Sequence, residues 1–218
     1  MKPYHKIETL FVRDMEGTKK LIQGQYREPI VEYIKDNAWV FTEKIDGTNI
    51  RVHWNGHTVI FGGRTDAASI PSHLVNALNN KFSGTVNEQI FEQKFGEIPV
   101  TLYGEGYGAK VQNGGGLYRK DVGFILFDVL INGIYLERWN IEDIAKSFDV
   151  SVVPIVFRGT VEQAVEYIKG KPKSVISEEE KEMEGIVGTP VVGIFDRSGN
   201  RVIVKVKVRD FSPLAYQP

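Results

Sequence analysis

The stretch "FTEKIDGTNIRVHW" (residues 41–54) combines the features of a tight turn with those of a reactive site. An Asp-Gly step between runs that alternate apolar and polar residues is a strong signal for a β-hairpin. We therefore predict that "WVFTEKI" and "NIRVHW" pair as strands, and that "HTVIFGGR" continues the sheet pattern. The same stretch places Lys44 two residues before the Asp-Gly step. Taken alone, a lysine at that position is typical of an exposed turn.

Length and composition indicate an ordinary globular protein. The 218 residues suffice for one large domain or two small ones, with 42% hydrophobic and 25% charged residues. The chain has no cysteine, which excludes disulfides, thiol nucleophiles and cysteine-based zinc sites. The N-terminal residues lack the apolar core of a signal peptide, and no apolar run is long enough to span a membrane. We therefore expect a soluble, cytoplasmic protein.

Charge is close to balanced but unevenly distributed. A formal net charge of −1 argues against a protein that coats nucleic acid through bulk charge. However, "SEEEKEMEG" (177–185) is acidic, while "RVIVKVKVRD" (201–210) carries two lysines and two arginines. A local basic groove is therefore compatible with the composition.

Periodicity predicts a mixture of helices and strands. Helical spacing or capping signals occur at residues 28–37, 71–80, 86–96, 140–147, with Asn140 as the cap, and 160–170. Strands are predicted in "IPVTLYGEGYG", "VGFILFDVLING", "SVVPIVFRG", "EGIVGTPVVGIFD" and "RVIVKVKV", with "RSGN" as a hairpin turn between the last two. The pattern favours a single α+β domain over residues 1–218, with antiparallel sheets flanked by helices.

Several predicted strands end in, or carry, a charged residue. These residues are Glu105 in "LYGEGYG", Asp128 in "GFILFD", Glu184 in "EGIVGTP", and Lys205 and Lys207 in "VIVKVKV". Each has an ordinary explanation as a turn, a strand end or a solvated lysine. Lys205 and Lys207 alternate with valines, so both lie on one face of their strand. Because buried charges are costly unless they are paired or used, the set together is the pattern of a functional site.

In this order the charged segments resemble the motifs of a known superfamily. The segments are "KIDGTN" (44–49), "FGGRT" with Arg64, "YGEGYG" (103–108), "FILFDV" (124–129), "EGIVG" (184–188) and "VIVKVKV" (202–208). They resemble the covalent nucleotidyltransferases, which comprise ATP-dependent polynucleotide ligases and mRNA-capping guanylyltransferases. The Thr-Asn ending in Asn49 and the "GEGYGAKVQNGGGLYRKDVGFILFDV" block look like RNA ligases of the phage type-2 class. DNA ligases more often carry arginine where Asn49 stands.

The resemblance implies a fold, the ATP-grasp-like ligase adenylation core, and a reaction. AMP from ATP would be transferred to Lys44, then to an RNA 5′-phosphate, and a 3′-hydroxyl would be sealed to that end with release of AMP. Lys44 would be the nucleophile, and it must lose a proton before it attacks. Lys205 and Lys207 would be its catalytic neighbours and would stabilise the charge that develops on the α-phosphoryl group.

The resemblance also implies how the nucleotide is bound. Glu105 and Arg64 would contact the ribose, and Phe127 would stack on the adenine. Glu184 would help to hold Mg²⁺ or Mn²⁺. Asn49 would contact phosphate or the nick, and Glu43 would lie beside the adenine, with the backbone as one route of contact. Asp46 and Gly47 would shape the turn that aims the nucleophile, and Asp128 would position a strand or loop.

One feature departs from most polynucleotide ligases. Only residues 209–218 follow the fifth motif, so we expect no C-terminal OB-fold. A stand-alone, monomeric adenylation core would bind its RNA ends, in a nicked duplex or single-stranded, weakly and in a salt-sensitive way. The candidate contacts are "QNGGGLYRK", Arg119, Lys120 and Arg209. The alternatives are a DNA ligase adenylation core, a GTP-dependent capping transferase, or a non-catalytic nucleotide- or RNA-binding module.

Overall fold

The computed structural model describes residues 1–18 and 20–211, and these divide into two compact units. The first unit comprises Met1–Tyr4, Asp46–Val153 and Ser177–Glu179, and the second comprises His5–Ile45, Pro154–Ile176 and the chain from Glu180 onward. The single adenylation domain expected over residues 1–218 stays a prediction. Residues 212–218, on which the expectation of a missing OB-fold partly depends, lie outside the described residues.

Five helices form within the described residues, at the segments that periodicity predicts. They are α1 (Pro29–Ile34), α2 (Ser72–Phe82), α3 (Thr85–Phe95), α4 (Arg138–Ser147) and α5 (Val161–Lys169). The capping box of α5 is confirmed, because the Thr160 hydroxyl accepts from the Gln163 amide and the Gln163 side chain accepts from the Thr160 amide. The prediction of Asn140 as a cap is wrong, because α4 begins two residues earlier, after Glu137.

The strands account for most of the remaining regular structure. They are β1 (Glu8–Thr9), β2 (Phe11–Arg13), β3 (Leu21–Tyr26), β4 (Trp39–Lys44), β5 (Thr48–Trp54), β6 (Val59–Gly62), β7 (Val100–Gly108), β8 (Val122–Ile131), β9 (Ile134–Tyr135), β10 (Ser151–Val152), β11 (Ile155–Gly159), β12 (Gly185–Pro190) and β13 (Val204–Lys207).

The sheet of the first unit packs against helices on one face and carries a mixture of polar, aromatic and apolar residues on the other. Its strand order is β10-β8-β7-β5-β6, with β9 beside β8, and every pairing except β10 with β8 is antiparallel. Phe82 of α2, Phe91 of α3 and Phe148, which follows α4, pack on the face formed by alternate residues such as Ile50 and Leu102. The intervening residues of β5 and β7 therefore lie on the other face.

The sheet of the second unit is arranged in the same way. Its order is β1-β13-β12-β4-β11, antiparallel except for the pairing of β1 with β13, and β2 and β3 form a separate ribbon. Helix α5 packs Val165 and Ile168 against Trp39, Phe41 and Val206 on one face of this sheet. The alternate residues of β4, β12 and β13 occupy the opposite face.

The predicted hairpin at the Asp-Gly step is wrong. Strand β4 pairs with β11 and β12, and β5 pairs with β6 and β7, so the two strands belong to different sheets. The physical reason is that both edges of each strand are already hydrogen-bonded to other strands, which leaves no edge for a pairing of β4 with β5. The Asp46-Gly47 step instead carries the chain from the second unit to the first.

The second predicted turn, "RSGN", is confirmed. Phe195 and Arg201 form an antiparallel bridge, and the amide of Gly199 donates to the carbonyl of Asp196. Gly199 has φ 76°, a left-handed conformation that favours glycine. Strand β12 nevertheless ends at Pro190, six residues before the predicted end of that strand.

The part of the chain that the structure describes contains no helix that is both long and apolar enough to cross a membrane.

Candidate active site

Lys44 lies in a row of charged residues on the second unit's sheet. Gly185 of β12 stands opposite Lys44 of β4 on one side and Lys207 of β13 on the other. The carboxylate of Glu184 accepts from both lysines, with Nζ–Oε2 at 2.6 Å for Lys44 and Nζ–Oε1 at 2.5 Å for Lys207. Their side chains are only 14–24% exposed. Lys44 is therefore a member of a largely buried ion-paired cluster and not a solvated turn residue.

The electrostatics of Glu184 follow from its two partners. Burial alone would raise the pKa of this carboxyl, but the ammonium groups of Lys44 and Lys207 outweigh burial and hold the pKa below its ordinary value. Glu184 is therefore a poor acceptor for a proton from either lysine. Its position between the two ammonium groups fits a role in holding them.

Lys205 completes the set of lysines on this face. It stands opposite Val187 of β12, two residues along β13 from Lys207, so the two lysines share a face as predicted. Lys44 lies on that face too, because Gly185 stands opposite both Lys44 and Lys207. Three lysines on one sheet face, two of them bonded to Glu184, form a surface suited to an anion such as a phosphate chain.

Glu43 points away from the lysines. It alternates with Lys44 along β4, and its side chain is buried on the face that packs against α5, with 1% of the residue exposed. Burial raises the pKa of its carboxyl, although the Ser174 side chain and the Val175 amide, which donates to Oε2 at 3.0 Å, reduce the effect. The side chain of Glu43 thus serves the packing of the second unit, and only its backbone shares the strand with the nucleophile candidate.

In the first unit, Asn49 and Glu105 are direct neighbours on the sheet face opposite the helices. They stand opposite each other in the pairing of β5 with β7. Among the described residues, Oδ1 of Asn49 is buried and has no hydrogen-bond partner. A buried polar atom normally has a partner, so this acceptor is of the kind that a bound ligand satisfies.

Phe127 owes its position to an irregularity in β8. The register passes from Asp128 opposite Tyr103 to Leu126 opposite Gly104, so Phe127 is the extra residue of a β-bulge. Bulges redirect a side chain and occur often beside active sites. The ring of Tyr4 meets Phe127 edge-on, with centroids 5.1 Å apart.

Asp128 has a structural role, as expected. Its Oδ2 accepts from the Tyr4 hydroxyl at 2.7 Å, and its Oδ1 accepts from the Val129 amide at 3.0 Å. Both bonds fix the local backbone around the bulge. Asp128 therefore supports Phe127 through Tyr4 and the strand.

Arg64 lies two residues beyond the end of β6 and is exposed. Arg51 was not among the predicted site residues, but it is fully buried and hydrogen-bonded to the segment that carries Arg64. An available signal was its position in β5: Arg51 alternates with Ile50 and Val52, which places it on the same face as Asn49.

The Asp46-Gly47 step is held from outside by the glycine-rich segment. The Asp46 amide donates to the Tyr118 hydroxyl at 3.3 Å, and the Gln112 side chain donates to the Gly47 carbonyl at 3.0 Å. A Cβ at Gly47 would lie 2.2 Å from the Gly106 carbonyl oxygen, so only glycine fits there. Sequence reasoning assigned this segment to RNA and missed Gln112 and Tyr118 as supports of the turn.

The basic residues proposed to hold RNA already have acidic partners in the first unit. Arg119 makes a two-bond contact with Asp121, at 2.5 and 2.9 Å, and Lys120 pairs with Glu179. Arg209, in the second unit, is exposed. Arg119 and Lys120 would have to exchange these partners to contact phosphate.

The structure thus brings the predicted site residues together in two groups. Lys44, Glu184, Lys205 and Lys207 share a sheet face in the second unit. In the first unit Asn49 and Glu105 are paired, Phe127 lies on the neighbouring strand, and Arg64 follows β6.

Comparison with protein-family models shows to which family the chain belongs. The family model described as RNA ligase matches residues 37–207, which is most of the chain and contains every residue predicted to bind the nucleotide or the metal. The chain belongs to the RNA ligase family. No curated protein matches it.

Solved structures share the fold of this RNA ligase family member. Naegleria gruberi RNA ligase, in a variant form with AMP and Mn, has a TM-score of 0.60 and 21% identity, covering 82% of this chain and 52% of that one. A variant with ATP and Mn gives 0.61 and 21%, covering 93% and 59%. The form with PPi gives 0.60 and 20%, covering 95% and 62%. The chain therefore spans between half and two thirds of the length of these structures.

The donor set of this RNA ligase family member fits a metal ion only with help from a ligand. Among residues 1–18 and 20–211, no group of three or more His, Asp or Glu side chains is placed to hold a metal. Both oxygens of Glu184 are bonded to lysines. Mg²⁺ and similar ions are often held by one or two carboxylates together with substrate phosphates and water. Glu184 could supply one such carboxylate once a lysine releases it.

Proposed function

We propose that the chain is the adenylation domain of an ATP-dependent RNA ligase and that it forms a covalent lysyl-AMP at Lys44. AMP would then pass to an RNA 5′-phosphate, and a 3′-hydroxyl would be joined to that end with release of AMP. The observation that carries the proposal is the Lys44–Glu184–Lys207 row, which occurs in a chain of the RNA ligase family.

The first step needs a neutral amine at Lys44. Its Nζ attacks the α-phosphorus of ATP, a P–N bond forms, the P–O bond to pyrophosphate breaks, and the amine loses a proton. Nζ of Lys44 is bonded to Glu184, so that contact opens before attack. Lys205 and Lys207 lie on the same face as Lys44, where their positive charge would stabilise the phosphoryl group.

The residues of the first unit suit the nucleoside part of ATP. Glu105 and Arg64 would hold the ribose, Phe127 would stack on the adenine, and the side-chain NH2 group of Asn49 would donate to phosphate. The bulge that displays Phe127 supports its role, and the pairing of Asn49 with Glu105 places these two side chains side by side. The Naegleria gruberi structures with ATP and Mn, and with AMP and Mn, support ATP as the nucleotide and a divalent ion as its companion.

A divalent ion would neutralise phosphate charge when bound, and Glu184 is the residue that would hold it. The chain's own contribution is to keep Glu184 beside Lys44 and Lys207 on a rigid sheet, with Gly185 between them. A Cβ at Gly185 would lie 2.1 Å from the Val206 carbonyl oxygen, so this close strand approach requires glycine. We propose that the ion is Mg²⁺ or Mn²⁺. We also propose that the protein joins RNA ends as a monomer.

The proposal is tested by incubating the protein with α-labelled ATP or GTP and Mg²⁺ or Mn²⁺, followed by denaturation. We expect label from ATP to stay on the wild-type protein and on Lys35→Ala, which changes a partly exposed lysine of the second unit paired with Glu162. We expect none on Lys44→Ala. Labelling by GTP alone would favour a capping transferase, and no labelling by either would favour a binding module.

The polynucleotide is identified separately. Nicked and single-stranded substrates with ribose or deoxyribose at the 3′-hydroxyl end are offered to the ATP-labelled protein. Sealing that requires ribose supports the RNA ligase proposal, and equal sealing of DNA would favour the DNA ligase alternative.

A further inference from the structure

We propose that Arg51 is a positioning residue that holds the segment bearing Arg64 in the conformation needed to contact the ribose of ATP. The inference deepens the proposed function and rests on it. Arg51 itself has no contact with the nucleotide in this account. It acts through the backbone on both sides of Arg64.

Three hydrogen bonds define the role of Arg51. Nε donates to the Gly63 carbonyl at 2.7 Å, and Nη2 donates to Oδ1 of Asp66 at 2.8 Å. Gly63 directly precedes Arg64, and Asp66 follows it by two residues. Nη1 donates to the Met1 carbonyl at 2.9 Å, which fixes the guanidinium from a third side. Arg64 thus lies between two points anchored to one rigid strand.

The surrounding backbone is shaped to fit the guanidinium. Arg51 stands opposite Gly62 in the pairing of β5 with β6. A Cβ at Gly62 would lie 3.0 Å from Nη2 of Arg51, and a Cβ at Gly63 would lie 2.8 Å from the Cβ of Ala68. Gly62 therefore leaves room for the guanidinium, and Gly63 lets the chain pass close to Ala68. A larger residue at either position would push the segment, and Arg64 with it, away from its place.

Burial makes this arrangement costly to disturb. The Arg51 side chain is 0% exposed, whereas its acidic partner Asp66 is 76% exposed. A buried cation needs good hydrogen-bond geometry and a counter-charge, and both come from the segment that carries Arg64. Lysine cannot replace arginine here, because a single ammonium nitrogen cannot reach three acceptors that a planar guanidinium bonds from three sides.

A purely structural role and a positioning role make different predictions in a double-mutant cycle. If Arg51 only stabilises the first unit, its replacement lowers adenylylation by the same factor whether or not Arg64 is present. If Arg51 positions Arg64, its replacement has little further effect once the Arg64 side chain is gone.

The experiment compares wild type, Arg51→Lys, Arg64→Ala and the double variant for the rate of lysyl-AMP formation at increasing ATP. We expect Arg51→Lys to raise KM for ATP by roughly 10-fold, the size expected for loss of one ribose hydrogen bond, and to add less than about 2-fold in the Arg64→Ala background. Asp143→Asn is the matched control, since it breaks an exposed ion pair with Lys94 in the same unit, and it should leave KM unchanged. Equal effects of Arg51→Lys in both backgrounds would overturn the inference.

A second measurement covers the case in which Arg51→Lys does not fold or the wild type takes no label. Asp66→Asn keeps an acceptor but removes the counter-charge, and hydrogen exchange at residues 63–66 reports whether the segment is held. We expect faster exchange in Asp66→Asn than in wild type or Asp143→Asn, and unchanged exchange would contradict the role of Arg51. A wild-type protein that takes no label from ATP overturns the proposed function alone, because the exchange result does not depend on catalysis.

Discussion

The two units of the chain both present polar residues on one face of a sheet, but the residues differ in kind. In the second unit three lysines share a face, and two of them are bonded to a single carboxylate at 2.5–2.6 Å. In the first unit the corresponding residues are an amide, a carboxylate and a half-buried aromatic ring, at Asn49, Glu105 and Phe127. The second face suits phosphate and its chemistry, and the first suits a sugar and a base. We therefore propose that nucleotide recognition and phosphate chemistry are divided between the two sheets.

The largest effect is expected from removal of the proposed nucleophile. Lys44→Ala should reduce ATP-dependent sealing of RNA by several orders of magnitude, because no other side chain in the account forms the P–N bond. The same variant should still seal RNA whose 5′ end already carries AMP, since that step does not need Lys44. Sealing assays with 5′-phosphate and 5′-adenylylated RNA measure both. Loss of both activities would mean that Lys44 does more than carry AMP.

The next effect concerns the neighbouring lysines. Lys205→Ala and Lys207→Ala should each lower the rate of lysyl-AMP formation by about 10²–10³-fold at saturating ATP, the usual loss when one group that stabilises developing charge is removed. Single-turnover labelling measures this rate. Lys173→Ala, which removes an exposed lysine paired with Glu180 in the same unit, is the control. A change in KM without a change in rate would assign the lysines to binding instead.

A smaller effect is expected in the first unit. Glu105→Gln and Phe127→Leu should raise KM for ATP by roughly 10-fold each and change the maximal rate by much less, because they contact parts of ATP that do not react. Phe127→Tyr retains the ring and should stay near wild type. If Glu105→Gln or Phe127→Leu lowered the maximal rate as strongly as Lys207→Ala, the proposed division between recognition and chemistry would be wrong.

The smallest effect is on stability, and it has opposite signs for two glutamates of the second unit. The pKa of Glu184 is lowered in the fold, so its stabilising contribution is present above the ordinary value of 4.5 and is lost as pH falls through the folded pKa. The pKa of Glu43 is raised by burial, so its carboxyl costs stability as pH rises above 4.5.

Urea unfolding at a series of pH values tests these signs. The free energy of unfolding of Glu43→Gln, relative to wild type, should increase as pH rises. The free energy of unfolding of Glu184→Gln should be lower than that of wild type at neutral pH, and the difference should disappear as pH falls below about 4.5. If the stability difference from wild type changed with pH in the same direction for both variants, the opposite pKa shifts of Glu43 and Glu184 would be contradicted.

Periodicity predicted the elements that carry the site because local patterns determine them. Lys205 and Lys207 share a face because of strand alternation, and the glycine after α3 and the capping box of α5 fixed helix ends. The family motifs located both groups of residues. All of these signals lie within a few residues of sequence.

The remaining features depend on contacts between distant segments. The Asp-Gly step is not a hairpin, because β4 and β5 each pair with strands from elsewhere in the chain. Tyr118 and Gln112 support that step from about 70 residues away, which follows from their separations of 72 and 65 positions. Arg51 looked like an ordinary strand residue until its three acceptors were seen together. No local pattern encodes such contacts.

The central claim is that ATP modifies Lys44 and no other residue. Intact-mass analysis after incubation with ATP and Mg²⁺ or Mn²⁺, followed by peptide mapping, tests it directly. We predict a gain of one AMP per chain, attached through an acid-labile phosphoramidate in the peptide that contains Lys44, and no gain in Lys44→Ala. AMP on another residue, or a gain that persists in Lys44→Ala, would contradict it.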